Sequence, residues 1–465
     1  MPSGPETFVT SPVYAQEFLR ARELLLAHRR RWRVIYHYDG DGIASASSAL
    51  RAFERLAYPS QATALFGVES TRMGELLSAT QGPVLIVDTG SSWLDRIVQH
   101  PFPVVILDHH QYPGAPNPPP LPPHVAFVNP LDWGVDGMSE LCAASLTWLF
   151  TIFLDPINWD NAPWGLSGII ADRQHQGGLK GLNTRLVDEA VHRSLLIKRK
   201  SIPLIGPNVQ EALVQGIDPY VRGLSGRPEA VRTLLEGLSI DGAKNPLDLV
   251  PEEEERLVRS LRDRLTHQGT RPEFLEVLTQ DRWTVPSLGR SADELSNLQN
   301  ATGRVGAPSL GVGLALGDAA SLQRAEVAEA EWRQTILSGL LRIEQSGVHQ
   351  MTSIQWFESP DRSLAGTQAG LGMTYLLDFH RPVFVFSTED DRLKVSGRGT
   401  LWLVQQGLDL SIACRVAAST VGGEGGGHRV ASGATIPGDR RDDFLAAANR
   451  IVGEQLSGLA AGSAA

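Results

Sequence analysis

The sequence predicts an α/β protein: a doubly wound parallel sheet, interrupted by a helical insert, then a long linker helix and a smaller α/β C-terminal domain. Three observations carry this reading. Short apolar runs such as Val104–Leu107 are β-branched and unbroken, as strands buried on both faces must be. Such runs alternate with helix-like stretches through the first part of the chain. Several of them end in acids or histidines, and open parallel sheets bind ligands off the carboxyl ends of their strands.

Val13–Arg30 has helical spacing and ends in a basic run, Arg29-Arg30-Arg31-Trp32-Arg33, read as a solvated face. The strand Arg33–Tyr36 leads into His37-Tyr38-Asp39-Gly40-Asp41-Gly42 and a small-residue helix, Ile43–Leu56. Strands at Ala62–Phe66 and Val84–Val87 are followed by helices at Thr71–Ala79 and Trp93–Gln99. Val104–Leu107 delivers Asp108, His109 and His110, and Tyr112–Pro123 is a proline-rich loop. After a strand at Val125–Val128 comes an apolar helix, Ser139–Leu154, with Ser139 as its expected N-cap. A fourth apolar segment, Trp164–Ala171, runs into Asp172.

From about Lys200 the chain turns amphipathic. Pro251 followed by four glutamates marks a helix start, because proline fits the first turn and acids suit the positive end of the helix dipole. Residues 202–285 hold no chemically useful cluster and are read as an inserted helical module. The expected organisation is 1–201, the first part of the catalytic domain; 202–285, the insert; 286–318, the catalytic domain resumed; 319–347, a linker helix; and 348–465, the C-terminal domain.

A net charge of −10 argues against a generally basic nucleic-acid coat, though not against a local basic groove. Cys142 and Cys414 are read as buried thiols in a reducing compartment. The N-terminal residues are polar and no apolar run has membrane-spanning length, so a cytoplasmic protein with no membrane role is expected.

Four apolar segments thus end in His37/Asp39/Asp41, Asp88, Asp108/His109/His110 and Asp172. Clustered carboxylates repel unless a cation lies among them. Mixed Asp and His donors suit Mn²⁺, with Mg²⁺ as the alternative. About six ligands is more than one such ion draws from side chains. It fits two ions sharing a carboxylate, the arrangement used for phosphate-ester hydrolysis. Farther on, Gly422–His428 brings amides without Cβ atoms beside His428, and Lys394-Val-Ser-Gly-Arg398 offers a guanidinium. Together they suggest a phosphate-binding face, with the metal site and this face lining a groove for a phosphodiester chain.

These residues resemble the DHH phosphoesterase superfamily in its RecJ-like branch, with a DHH-associated C-terminal domain. His37-Tyr-Asp39-Gly-Asp41-Gly, Asp88-Thr-Gly, Asp108-His109-His110 and Gly-Ile-Ile-Ala-Asp172 match motifs I to IV. Asp293-Glu-Leu-Ser-Asn297 through Gly317-Asp318 is similar to the resumed core. Ser396-Gly-Arg398-Gly-Thr and Gly425-Gly426-Gly427-His428 match the C-terminal domain. The resemblance implies two Mn²⁺ ions held by Asp39, Asp41, Asp88, His109 and Asp172, with Asp88 bridging. His37 departs from the bacterial pattern, and its ligation is an open expectation. Asp108 joins the catalytic motif, and His110 would contact the scissile phosphate. Arg398, Gly425, Gly426, Gly427 and His428 would bind substrate. The implied activity is a single-strand exonuclease in DNA replication or repair, 5′–3′ on single-stranded DNA, with RNA as a further substrate. A phosphodiesterase for short oligonucleotides or cyclic dinucleotides is the alternative, and a replisome scaffold is the non-enzymatic one. The archaeal-type length and insert imply association with the GINS complex through 202–285.

Overall fold

The computed structural model describes residues 8, 12–66, 70–361 and 364–458. The chain forms two compact units, residues 1–201 with 280–332, and residues 202–279 with 333–465. The first unit begins α1 (Pro12–Leu26), β1 (Trp32–His37), α2 (Gly40–Arg55), β2 (Ser60–Leu65), α3 (Ser70–Ser78), β3 (Val84–Val87), α4 (Leu94–Ile97), β4 (Val104–Leu107), β5 (Val125–Val128), α5 (Ala143–Leu154), α6 (Ala162–Ala171), α7 (Gly181–His192) and β6 (Ile197–Ser201). The chain then supplies α8 (Val209–Val214), α9 (Pro228–Leu238), α10 (Pro251–His267) and α11 (Pro272–Leu275) to the second unit. It returns to the first for β7 (Gln280–Val285), β8 (Arg290–Ser291), α12 (Ala292–Arg304) and α13 (Pro308–Ala315). The division falls within α14 (Ala319–Ser346). The second unit continues with β9 (His349–Gln350), β10 (Gln355–Glu358), α15 (Ala365–Tyr375), β11 (Val383–Glu389), β12 (Arg392–Arg398), α16 (Leu401–Gln405), α17 (Leu410–Thr420), β13 (Glu424–Gly427), β14 (Ala431–Pro437) and α18 (Arg441–Gly458).

The central sheet of the first unit has the order β2-β1-β3-β4-β5, every pair parallel. Its strands alternate between two cores, as a doubly wound sheet requires. Val34, Tyr36, Leu85, Val87, Val105, Leu107, Ala126 and Val128 face the side packed with residues of α2, α5 and α6. Ile35, Val84, Ile86, Val104, Ile106, Val125 and Phe127 face the side with Met73, Leu76 and Ile97 of α3 and α4. The strand order reverses between β1 and β3. That is the topological switch point, where open α/β sheets hold their ligands.

Four local expectations change. Trp164–Ala171 is not a further strand end but the helix α6, so Asp172 arrives from a helix C-terminus. The helix expected from Ser139 starts at Ala143, because Ser139 Oγ is engaged by Asp136 and the free amides of α5 find another acceptor. Residues 280–285, placed in the helical insert, form β7 of an antiparallel sheet ordered β6-β7-β8. Gly425–Gly427, read as a loop, belong to an edge strand, β13.

The second unit is built on a six-stranded sheet, β13-β14-β12-β11-β10-β9, antiparallel except for β10 with β11. Phe384 and Phe386 of β11 meet Phe444 of α18 edge-on. Residues 202–279 are tied into this unit. Tyr220 donates its hydroxyl to Glu344 of α14, Arg227 pairs with the same carboxylate at 2.8 Å, and Tyr375 of α15 donates to Asp218 at 2.5 Å.

Candidate metal centre

β1, β3 and β4 end side by side and bring the acids and histidines together. Asp39 is the N-cap of α2, its carboxylate accepting the Gly42 amide at 3.2 Å. Asp41, in the first turn of α2, is buried. Its carboxylate accepts the amides of Ala143 (3.0 Å) and Ala144 (2.8 Å), the donors that open α5. Asp88 follows β3 with φ +57°, a left-handed conformation uncommon for a residue with a Cβ and characteristic of functional positions.

His109 Nδ1 donates to the Gly137 carbonyl at 2.6 Å, which turns Nε2 toward Asp88 (3.3 Å) and Asp41 (3.6 Å). Asp172 caps α6 and lies 4.0 Å from His109 Nδ1. His37 Nδ1 is 3.0 Å from Asp39 and 3.6 Å from Asp88, aligned for a hydrogen bond to neither. Three sets of potential ligands result, each with donor atoms within 4.8 Å of one another: His37/Asp39/Asp88, Asp88/His109/His110 and Asp41/His109/Asp172. Asp88 is common to two, His109 to two.

Asp108 stands apart from these sets. Its carboxylate accepts the amides of Ser91 and His109 and the Nδ1 of His110, the last at 2.8 Å. It therefore shapes the turn and leaves Nε2 of the half-exposed His110 free.

The electrostatics show what the cluster needs. Burial, then Asp88 and Asp172, push the Asp41 carboxyl well above the usual range. Burial likewise raises Asp172 to about 6, against the pull of His109. Burial disfavours charge on His37, but Asp39 and Asp88 outweigh it and raise the imidazole to about 11. His109 is raised for the same kind of reason, by Asp88 and Asp41. Burial opposes ionisation of Asp88, yet His109 and His37 hold it far down. Without metal, the protons favoured on Asp41, Asp172, His37 and His109 take the place of cations, while Asp88 stays ionised. Among the described residues, Asp88 Oδ2 and His37 Nδ1 are buried without hydrogen-bond partners. Orphaned donor atoms amid surplus negative charge fit divalent cations.

Sequence reasoning missed the residues behind the cluster. Gln174, buried, donates to Asp172 at 2.8 Å and to the Gly137 carbonyl at 2.7 Å, and Asn183 donates to Gln174. Gly137 is needed because a Cβ there would lie 2.3 Å from the His109 carbonyl oxygen. The sole signal was Gln174's place two residues after Asp172.

In the second unit, Arg398 ends β12, and Ser432 of β14 pairs with Gly397 on one side and Gly427 on the other. Register thus gathers Arg398, Gly427 and the exposed His428 toward one end of their strands. The glycines have distinct reasons. A Cβ on Gly425 would strike the Cys414 carbonyl at 2.6 Å, Gly427 has φ +138°, and Gly426 faces open space.

Comparison with known proteins agrees with this architecture. The DHH family N-terminal domain model matches residues 31–160, and the DHHA1 domain model matches residues 368–454. Residues 31–160 and 368–454 are thus similar to the DHH and DHHA1 domains, and the chain has the RecJ-like fold, a DHH domain followed by a C-terminal DHHA1 domain. It is 28% identical over 440 residues to an uncharacterized protein of Methanocaldococcus jannaschii, covering 94% of this chain and 96% of that one. Exonuclease RecJ bound to manganese matches at 18% identity and TM-score 0.58, with 94% of each chain covered. CDC45 of Entamoeba histolytica matches at 10% identity and TM-score 0.61, covering 97% of this chain and 100% of that one. The DHH domain match supports the class of hydrolases acting on phosphate esters, and this chain carries an Asp/His cluster able to bind metal. Among the described residues no helix is long and apolar enough to cross a membrane.

Proposed function

We propose that the protein is a Mn²⁺-dependent single-strand exonuclease acting on single-stranded DNA and also on RNA. The observation that carries this is the linkage of three ligand sets through Asp88 and His109, at the switch point of a fold matched along its length by RecJ. In this reading Asp39, Asp41, Asp88, His109 and Asp172 hold two ions, with His37 as a further ligand and Mg²⁺ as the alternative metal. Bound divalent ions supply charge neutralisation at the phosphate and lower the pKa of the attacking water.

The chain's own groups do the positioning. Gly137 fixes His109 with Nε2 inward. Asp108 holds His110 by Nδ1 and, against burial, favours its charged form, so that Nε2–H can donate to a phosphate oxygen. Arg398, Gly426 and His428 are proposed contacts for strand phosphates.

The test is digestion of end-labelled single-stranded DNA and RNA with Mn²⁺, beside short oligonucleotides and cyclic dinucleotides. Asp41→Asn serves as control. Stepwise loss from one end, abolished by the substitution, supports the exonuclease and gives its polarity. Cleavage of short substrates alone supports the oligonucleotide or cyclic-dinucleotide phosphodiesterase. No cleavage at all, with strands still bound, supports a scaffold role, against which the complete carboxylate set weighs. A replisome partner, GINS, is proposed to bind through residues 202–279. Loss of co-purification on charge reversal at the exposed Glu255 and Arg259 of α10 is the expected outcome, and no association of the intact protein would remove the proposal.

A further inference from the structure

Two aromatic rings stand beside the metal cluster and belong to none of its ligand sets. Tyr38 lies between His37 and Asp39. Those neighbours join the cluster; Tyr38 instead stacks on Phe66, with centroids 5.1 Å apart and planes at 22°. Phe66 follows β2, the strand beside β1, and the Tyr38 amide donates to the Leu65 carbonyl at 3.1 Å, which locks the two chain segments together. Arg304, exposed at the end of α12, places its guanidinium 5.9 Å from the Tyr38 centroid and Nη1 3.5 Å from the hydroxyl. His37 meets Tyr38 edge-on at 4.7 Å, so the rings abut the cluster itself.

The ground beneath them is rigid. A Cβ on Gly303 would come within 2.0 Å of the Tyr38 carbonyl oxygen, and one on Gly42 within 2.1 Å of that of His37. Phe66 nevertheless remains 48% exposed. A lone exposed phenylalanine is ordinary. A stacked pair with a cation over it, one residue from the metal ligands, has the makeup of a single-strand binding site, where bases stack on aromatic rings beside positive charge.

We propose that Phe66, Tyr38 and Arg304 form a stacking subsite for the nucleobase next to the scissile phosphate, an inference that rests on the phosphodiesterase reading above. Tyr38 backs Phe66, Phe66 offers its open surface to the base, and Arg304 adds charge. Stacking reads no base edge. Hydrolysis therefore tolerates any sequence but needs a base at this position.

Steady-state hydrolysis of oligonucleotides with Mn²⁺ tests this in the wild type, Phe66→Ala and Phe66→Trp. Phe66→Ala is expected to raise KM about 5- to 150-fold with kcat little changed, and Phe66→Trp to restore it. An abasic residue at the cleaved end should cost the wild type a similar factor and Phe66→Ala nothing further. Unchanged KM in Phe66→Ala, or abasic and alanine losses that multiply, overturns the subsite. If the wild type hydrolyses nothing, the function proposed above fails, and binding decides the subsite by itself. Quenching of a terminal 2-aminopurine in Mg²⁺ by the wild type but not by Phe66→Ala upholds it, and equal fluorescence with both proteins overturns it.

Discussion

At the residue scale, the cluster competes with protons for its cations. Asp172 rises to about 6 and Asp41 rises well above the usual carboxylate range, so the metal-free fold binds more protons there than the unfolded chain does. The contribution of Asp172 to metal-free stability is fully present below about pH 4 and is lost as pH rises through about 6, and that of Asp41 is lost in the same direction. Mn²⁺ should therefore raise the melting temperature more at pH 7.5 than at pH 5, measured by thermal shift. An equal rise at both would contradict the assignment. Gln174 acts one step back, through Asp172 and the Gly137 carbonyl. Gln174→Ala should weaken Mn²⁺ binding roughly 10- to 100-fold while the fold is kept, measured by calorimetry, and unchanged affinity would remove it from the site. The acids and histidines were legible in the sequence because they stand at the ends of apolar runs. Asn183 and Gly137 were not, because the partners that give them their roles lie 9 to 37 residues away, and Gln174 was marked only by its place two residues after Asp172.

At the scale of the element, glycine decides how close the loop after β1 can lie to its surroundings. Gly42→Ala would drive a Cβ to 2.1 Å from a backbone oxygen, with no flexible side chain to yield. We expect destabilisation of at least about 3 kcal/mol, read from chemical denaturation; a loss under 1 kcal/mol would mean that the loop relaxes freely. The five strands of the parallel sheet were legible to within about two residues because continuous apolar runs flanked by polar ends leave few alternatives, whereas β7, placed in the insert, was not. Helix starts were less so. Ser139 carries the right side chain for a cap, yet α5 starts at Ala143 and takes its acceptor from Asp41, about a hundred residues upstream. The glycine run at 425–427 carries no side-chain periodicity, so its identity as a strand is fixed by pairing with β14 alone.

At the scale of the whole molecule, the doubly wound sheet and a second α/β unit were predictable from the alternation of elements. The place of residues 202–279 was not. Their amphipathic helices announce a buried face without naming what covers it. Glu344, Tyr375 and the insert's own Tyr220 and Arg227 supply that answer. Deleting 202–279 should lower the melting temperature of the second unit by more than about 5 °C, since it strips partners from α14 and α15. A deletion variant that melts like the intact chain would show the insert to be an independent module.

Asp41 carries two obligations in one carboxylate, closing α5 and facing the metal ligands. Asp39 carries less of the fold, a single hydrogen bond to the Gly42 amide and a charge beside His37. Under relaxed selection the two positions would not drift alike. A lineage released from catalysis can discard Asp39 at little cost to folding, whereas loss of Asp41 would strand two buried amides. The fossil of a dead site in this fold would thus keep the aspartate whose carboxylate closes a neighbouring helix and lose first the one nearer the solvent.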